Sequence, residues 1–401
     1  MDTPDLFQHC ELTEAMFNSG VATFTSPEAL LAGAVVRVLT ATGPHVVMES
    51  PVPGEVASVN FGICLPGRSG SGKTTVVERS QFSLTIPAGA RPVVSGGILR
   101  PATEVTHAVA AGEEAGGGLL YVDDTNAPMR WQTPLAGKRI AGLFTGAGLP
   151  GIPDGSYRAG GMFTTPPADK GMWRFSDLAD RLLWVPAATT HLPDLDPYVR
   201  DPADDVYEDY TELAKRDHFT VELDPELASR RALPAGVSGW TDTRGIAGQI
   251  TVVFPEQVLR EVTADVARRE GNLVRMKLAA GFALLRGACV TGDRVEVRGD
   301  DWDRAGVLVD ASFRCRLDLG DRNAAAWFRR NRSLDTFTRD LDTVVAAARD
   351  GEPWFGRGGV RSRYRGRAQG RVDLALDYLF HRGQVALDTG GRLEVTDDAC
   401  R

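Results

Sequence analysis

The run Gly67-Arg68-Ser69-Gly70-Ser71-Gly72-Lys73-Thr74 satisfies G-x-x-x-x-G-K-[ST], a pattern that works only between a strand and a helix. Its flanks supply both. Val59 to Leu65 predicts a short buried strand, and Lys73 to Ser80 starts a helix without a breaker. Glycines let backbone N–H groups turn inward on phosphates, and the helix N-terminus adds partial positive charge. Lys73 is then the group that reaches the terminal phosphates, and the Thr74 hydroxyl is the Mg²⁺ ligand. The nucleotide-binding set read from the loop is Gly67, Ser69, Gly70, Ser71, Gly72, Lys73, Thr74 and Thr75. A glycine-rich turn with an idle lysine is the bland alternative. It is disfavoured because the chain has only 5 lysines against 40 arginines.

Such a loop needs a partner strand that ends in carboxylates. Gly118-Leu119-Leu120-Tyr121-Val122-Asp123-Asp124 fits, with Asp123 as the Mg²⁺ ligand and Asp124 as the base that polarises the attacking water. Between loop and acids, Pro92-Val93-Val94 predicts a strand and Pro101 to Glu114 a helix with Pro in its first turn. The order strand, loop, helix, strand, helix, acidic strand is that of an α/β core with a parallel sheet.

The 401 residues, 43% hydrophobic and 24% charged, suffice for two or three domains. No apolar run reaches the ~18 to 20 residues of a membrane span, and the acidic start lacks a basic leader, so a cytoplasmic protein is expected. The 5 cysteines show no C-x-x-C and the 6 histidines no ligand spacing, which speaks against a zinc site. Net charge is -8, so the chain as a whole does not attract nucleic acid, but its charge is unevenly placed. Pro193 to Asp209 carries seven acids against Arg200 alone and reads as a solvated linker. Arg357 to Arg371 carries six arginines and no acid.

The organisation expected is a helical N-terminal segment (1–55), a nucleotide core (56–190), an acidic linker (191–217), a mostly helical region (218–350) and a C-terminal module (351–401). In the first segment Ser26-Pro27-Glu28 caps a helix over Ala29 to Leu39. Farther on, His218 to Leu223 alternates as a strand and Glu256 to Leu285 reads as helix broken near Gly271. Asp300-Asp301-Trp302 opens another helix to about Phe313, and Leu334 to Arg349 a further one. In the last module Val372, Leu376 and Leu379 share a helical face, followed by strands over Gln384 to Leu387 and Arg392 to Val395. Helix, turn and two-stranded wing is the ending of a winged helix-turn-helix, with Arg361, Arg363, Arg365, Arg367 and Arg371 as candidate DNA contacts. A solvated arginine face is the alternative.

With these parts in order, the chain resembles the AAA+ ATPases of the minichromosome-maintenance type. More closely, it resembles the P-loop helicase-like proteins of actinobacterial phages, plasmids and integrated elements, where such a module stands alone or follows a primase. The resemblance rests on Gly67 to Thr74, on Leu119 to Asp124, and on Gly155 to Thr165 with Asp177 to Val185. Its fourth element is Asn272 to Leu285 with Val295-Glu296-Val297 and Asp301-Trp302. It implies a sensor strand ending at Thr165, although Pro166-Pro167 follows at once. It implies further that Arg181 acts on a neighbouring subunit's nucleotide and that residues 218–350 form a helical lid. Arg275 and Lys277, the only charges between Leu273 and Leu285, need an anionic partner or a way to solvent; a bound triphosphate would serve, with Arg275 as its candidate contact, and snorkelling or pairing with an acid of the acidic loop is the alternative.

The reading is therefore an AAA+-like core with lid and winged helix, binding ATP and Mg²⁺. It implies a homo-oligomeric ring acting on DNA, with a primase as possible companion and no membrane. Helicase or helicase loader is the first function expected, a nucleotide-switched DNA-binding regulator or partition-type ATPase the second. A small-molecule kinase is the third, against which the lid helices and winged ending argue.

Overall fold

The computed structural model describes residues 6–23, 25–50, 52, 55–67, 70–85, 93–94, 118–122, 134–147, 155–165, 178, 180–188, 220–228, 249–264, 269–331, 334–354, 358–365, 372, 375–376, 379, 384–388 and 391–396. The chain divides into two compact units, Met1–Phe313 and Arg314–Arg401.

The first unit opens with helices α1 (Glu11–Thr23) and α2 (Pro27–Ala41). Ser26 starts α2: its backbone is extended and its hydroxyl accepts from the Ala29 N–H at 3.2 Å, while Pro27 lacks a donor where none is needed. Fourteen of the fifteen α2 residues are buried. A helix that is apolar all round belongs inside, and α2 packs against strands of the central sheet and against a later helix rather than leading into the fold from outside. The chain continues through β1 (Val46–Glu49), β2 (Val56–Ser58), β3 (Phe61–Pro66), α3 (Lys73–Arg79), β4 (Ser83–Thr85), β5 (Val93–Val94) and β6 (Gly118–Val122). Next come α4 (Pro134–Thr145), β7 (Ala159–Thr165), β8 (Leu182–Trp184), β9 (Thr220–Glu222), α5 (Pro225–Ala228) and β10 (Ile250–Val253). The unit closes with α6 (Glu256–Ala264), α7 (Arg269–Leu285), β11 (Arg294–Glu296) and the start of α8 (Gly299–Asn331).

The fold is α/β. A four-stranded parallel sheet has the order β6-β7-β3-β8. Every residue of β3 is buried, as expected of a parallel strand covered on both faces. A second sheet runs β11-β10-β1-β2, in which only the β1–β2 pair is antiparallel. A third joins β5, β4 and β9.

Three local expectations change. Val93–Val94 is a strand, but it pairs antiparallel with β4 and lies outside the central sheet. Gly271 lies inside α7, so the helix does not break there; residues 265–268, between α6 and α7, lie outside the described residues. The helix opened by Asp300 and Asp301 runs to Asn331, well past Phe313, because no proline interrupts it and single glycines at 306 and 320 are tolerated. The helix expected over Pro101 to Glu114 lies outside the described residues.

The second unit holds α9 (Leu334–Arg349), a short 3-10 helix (Val360–Arg363), helical residues at Val372, Ala375, Leu376 and Leu379, and the antiparallel pair β12 (Val385–Leu387) and β13 (Leu393–Val395). Its core gathers Val344, Trp354, Val360, Val372, Leu376 and Leu393. Pro353 bridges to Arg392, and the Trp354 N–H donates to the Gly391 carbonyl at 2.9 Å, so the segment before the 3-10 helix extends the hairpin. Among the described residues, no helix is long and apolar enough to cross a membrane.

Candidate nucleotide-binding site

The four strands of the parallel sheet point one way, so their C-terminal ends share an edge, and the glycine-rich loop leaves β3 there. The Gly67 N–H donates to the Thr165 carbonyl at 2.9 Å, which ties the loop's first residue to the end of β7. Gly70 and Gly72 have φ of +79° and +83°, the left-handed region that a side chain penalises. Gly72 is also against Thr25: a Cβ there would lie 2.7 Å from the Thr25 Cγ2. One on Gly67 would lie 2.0 Å from the Ser71 Oγ. The loop therefore has no room for side chains at either position.

Lys73 begins α3, is 8% exposed, and donates from Nζ to the Gly67 carbonyl at 2.9 Å. It curls back over its own loop. The Ser71 Oγ is buried without a hydrogen-bond partner among the described residues, and a buried polar atom of this kind calls for an acceptor or donor from outside the chain. Thr74 is exposed on the first turn of α3, and Thr75 is half-buried beside it. Glycines without space for a Cβ, an orphaned hydroxyl and a lysine held over the loop fit a polyphosphate.

Two features that hold this loop escaped the sequence reading. Arg37, from the middle of α2, donates from Nη2 to the Val77 carbonyl at 2.5 Å and from Nε to the Ser80 Oγ at 3.2 Å. It clamps the last turn of α3, and burial lowers its pKa to about 10. It is the only charged residue between Glu28 and Glu49, and that isolation in an apolar run was the sign available in the sequence. Thr25, two residues before the same helix begins, bridges to Ala188 beyond β8 and packs on Gly72.

The other expected site residues fall as follows. Thr165 ends β7 next to the loop and is 1% exposed. The chain leaves β6 at Val122 on the same edge; Asp123 and Asp124, which follow, lie outside the described residues, as does Ser69. Among the described residues no group of three His, Cys, Asp or Glu side chains is arranged to hold a metal ion. Arg181 precedes β8 and so stands at the edge opposite to the loop of its own chain, where its Nη1 donates to the Ala141 carbonyl at 2.9 Å.

Arg275 meets groups of the protein rather than the loop. Its guanidinium lies 3.8 Å from the centroid of the Trp302 ring, donates from Nε to the Trp302 carbonyl at 3.1 Å, and pairs with Glu261 and Asp303 at 3.5 and 3.9 Å. All of these partners belong to α6 or α8. An aromatic face and two carboxylates supply what a triphosphate was expected to supply. Lys277 is 3% exposed and donates to the carbonyl of Asn60, just before β3 begins, at 2.8 Å and to the carbonyl of Phe144 in α4. That is the sheet edge away from the loop. Arg158 serves the same edge, with Nη1 on the Asn60 Oδ1 at 2.9 Å and Nη2 on the Gly43 carbonyl at 2.8 Å and on the Val46 carbonyl.

In the second unit Arg361 is half-buried, and Arg363 and Arg365 are exposed. Arg363 pairs with Glu352, which partly neutralises the patch. Arg367 and Arg371 lie outside the described residues.

No family model and no curated protein matches this sequence.

Proposed function

We propose that the chain is a P-loop ATPase with an AAA+-like core that couples ATP hydrolysis to work on DNA, as a helicase-like motor. The observation that carries the reading is the strand order β6-β7-β3-β8. It puts one strand between the strand that feeds the glycine-rich loop and the strand that leads to Asp123 and Asp124. The end of that inserted strand, Thr165, would then stand beside a water molecule attacking a terminal phosphate.

Mg²⁺·ATP supplies a phosphoanhydride bond and a cation that draws charge from its oxygens. This chain's residues do the rest. Backbone N–H groups around Gly70 and Gly72 would bind the phosphates, Lys73 would exchange the Gly67 carbonyl for them, and the Thr74 hydroxyl with Asp123 would hold the metal. Asp124 accepts the water's proton. Arg181, at the far edge of its own sheet, serves a neighbouring subunit if it serves any nucleotide, because its own glycine-rich loop lies at the opposite edge. The second unit reads as a winged helix: helix, short strand, 3-10 turn, helix and hairpin follow in that order, and its arginines lie on the 3-10 turn and just after it.

A nucleotide-switched DNA-binding regulator is the second reading. It is favoured by the inward bond of Arg181 to Ala141, which weakens the case for a motor. Steady-state ATP turnover with and without single-stranded DNA separates the two: stimulation by DNA supports the motor, and ATP-dependent binding without stimulation supports the switch. Lys73→Ala should abolish ATP binding and Asp124→Asn should bind ATP without turnover. Unchanged ATP affinity in Lys73→Ala would remove the basis of both readings.

A further inference from the structure

Away from the glycine-rich loop, the second sheet carries a groove of about 830 Å³ between its outer face and α6. That volume is in the range of small-molecule sites, roughly 300 to 1,000 Å³. Val56, Thr251 and Val253 line it from the sheet, and Leu259 and Thr263 from α6. Val258 and Val262 turn the other face of α6 into the core, so Leu259 and Thr263 are left for the groove.

Four carboxylates line this apolar surface: Glu49, Glu55, Glu256 and Asp293. Glu256 pairs with Arg260 at 3.4 Å and Asp293 with Arg294 at 3.7 Å, but all four of these side chains are more than two thirds exposed. Such pairs are screened and contribute little. Two guanidinium groups against four carboxylates leave the groove negative. The Glu49 Oε2 accepts from the Phe254 N–H at 2.8 Å, so one carboxylate is fixed in place before any ligand arrives.

A second, independent observation points to a ligand. Gln249, 7% exposed, lines the same groove, and its Oε1 is buried without a hydrogen-bond partner among the described residues. A buried carbonyl left unpaired is costly, and a donor from a ligand removes that cost. Among the described residues no group of three ligating side chains is arranged to hold a metal ion, so a bare divalent cation is not the match. The occupant must bring N–H donors, positive charge and an apolar stem. Glu55 and Asp293 stand beside opposite edge strands of the sheet, three strand spacings across and four residues along it, roughly 19 Å apart. A compact cation cannot reach both ends. A peptide would bring backbone groups for which the apolar floor has few partners.

We propose that this groove binds a linear aliphatic polyamine. Its terminal ammonium groups lie at Glu49 and Glu55 on one side and at Asp293 on the other, its methylenes cover Val253 and Leu259, and one N–H meets the Gln249 Oε1. The proposal does not depend on the nucleotide reading, and its test uses no nucleotide.

The test is titration calorimetry of the full chain, free of nucleic acid and at physiological salt, with spermidine, with Mg²⁺ and with an acetylated oligolysine peptide. Saturable binding of one spermidine per chain is expected, not displaced by Mg²⁺ at equal charge. Gln249→Leu should weaken it about tenfold, the loss of one hydrogen bond to a charged donor, while the thermal midpoint stays level or rises because the orphaned acceptor is gone. Glu55→Gln, at a half-exposed position, should weaken it without touching the core. Three results would overturn the proposal: no saturable binding of spermidine, equal affinity in both variants and the parent chain, or binding of the oligolysine peptide alone.

Discussion

Replacing Arg37 with Met asks whether the loop is held from behind. Burial lowers the Arg37 pKa to about 10, and a fall of that size corresponds to about 3 kcal/mol against the charged form. Below pH 10 the guanidinium is charged in both folded and unfolded chains, so this cost is present in full at neutral pH and does not vary there. Against it stand the bonds to the Val77 carbonyl and the Ser80 hydroxyl, roughly 1.5 to 3 kcal/mol each for a charged donor. Methionine removes both sides and keeps the unbranched stem, and the Val77 carbonyl retains the Ser80 hydroxyl at 3.1 Å. The net loss should be small, about 0 to 3 kcal/mol by urea denaturation. The effect on nucleotide should be larger than that on folding. At seven residues α3 is too short to hold its own geometry, so its first residue, Lys73, depends on anchors at its last turn. Fluorescent ATP-analogue titration should give at least a tenfold weaker affinity, about 1.4 kcal/mol, well below the melting temperature. A Met variant that keeps the parent affinity would refute this account of the loop.

Other consequences can be checked separately. Asp301 is fully buried; burial would raise its pKa, but hydrogen bonds from His9, Arg286 and the Arg298 N–H, with the charge of Arg286, hold it below the usual carboxylate range. Its contribution is thus present above the unfolded pKa near 4 and is lost as pH falls through the folded value. Urea melts at stepped acid pH should show that slope in the parent chain and lose it in Asp301→Asn, alongside a destabilisation at neutral pH of about 3 kcal/mol or more. Arg181→Ala should leave ATP binding unchanged and lower turnover only where subunits associate; mixing it with Asp124→Asn subunits should restore part of the turnover, and no recovery at any ratio would reduce Arg181 to a structural bond with Ala141. If the second unit binds DNA, Arg365→Ala should reduce the slope of log affinity against log salt by about 0.7 to 0.9, and Arg363→Ala by less because Glu352 already pairs with it. Equal slopes for the parent chain and Arg365→Ala would remove Arg365 from the interface.

The sequence by itself determined the local pieces. The glycine spacing, Lys73 and the apolar run ahead of it required strand, loop and helix, because positive-φ turns and a helix start are set within a few residues. Ser26-Pro27 located the start of α2. Which strands would be neighbours was not written locally. Val93–Val94 had the composition of a central strand and became the partner of β4, while β7 took the place between β3 and β6. Pairing joins residues about a hundred positions apart, and only the packing of α2 and α4 on the finished sheet selects among such arrangements. The same holds for the cations. Arg275, Lys277 and Arg37 each stood alone in an apolar run and demanded a partner; that demand was visible in one dimension, but the Trp302 face, the Asn60 carbonyl and the end of α3 become available only when distant segments meet.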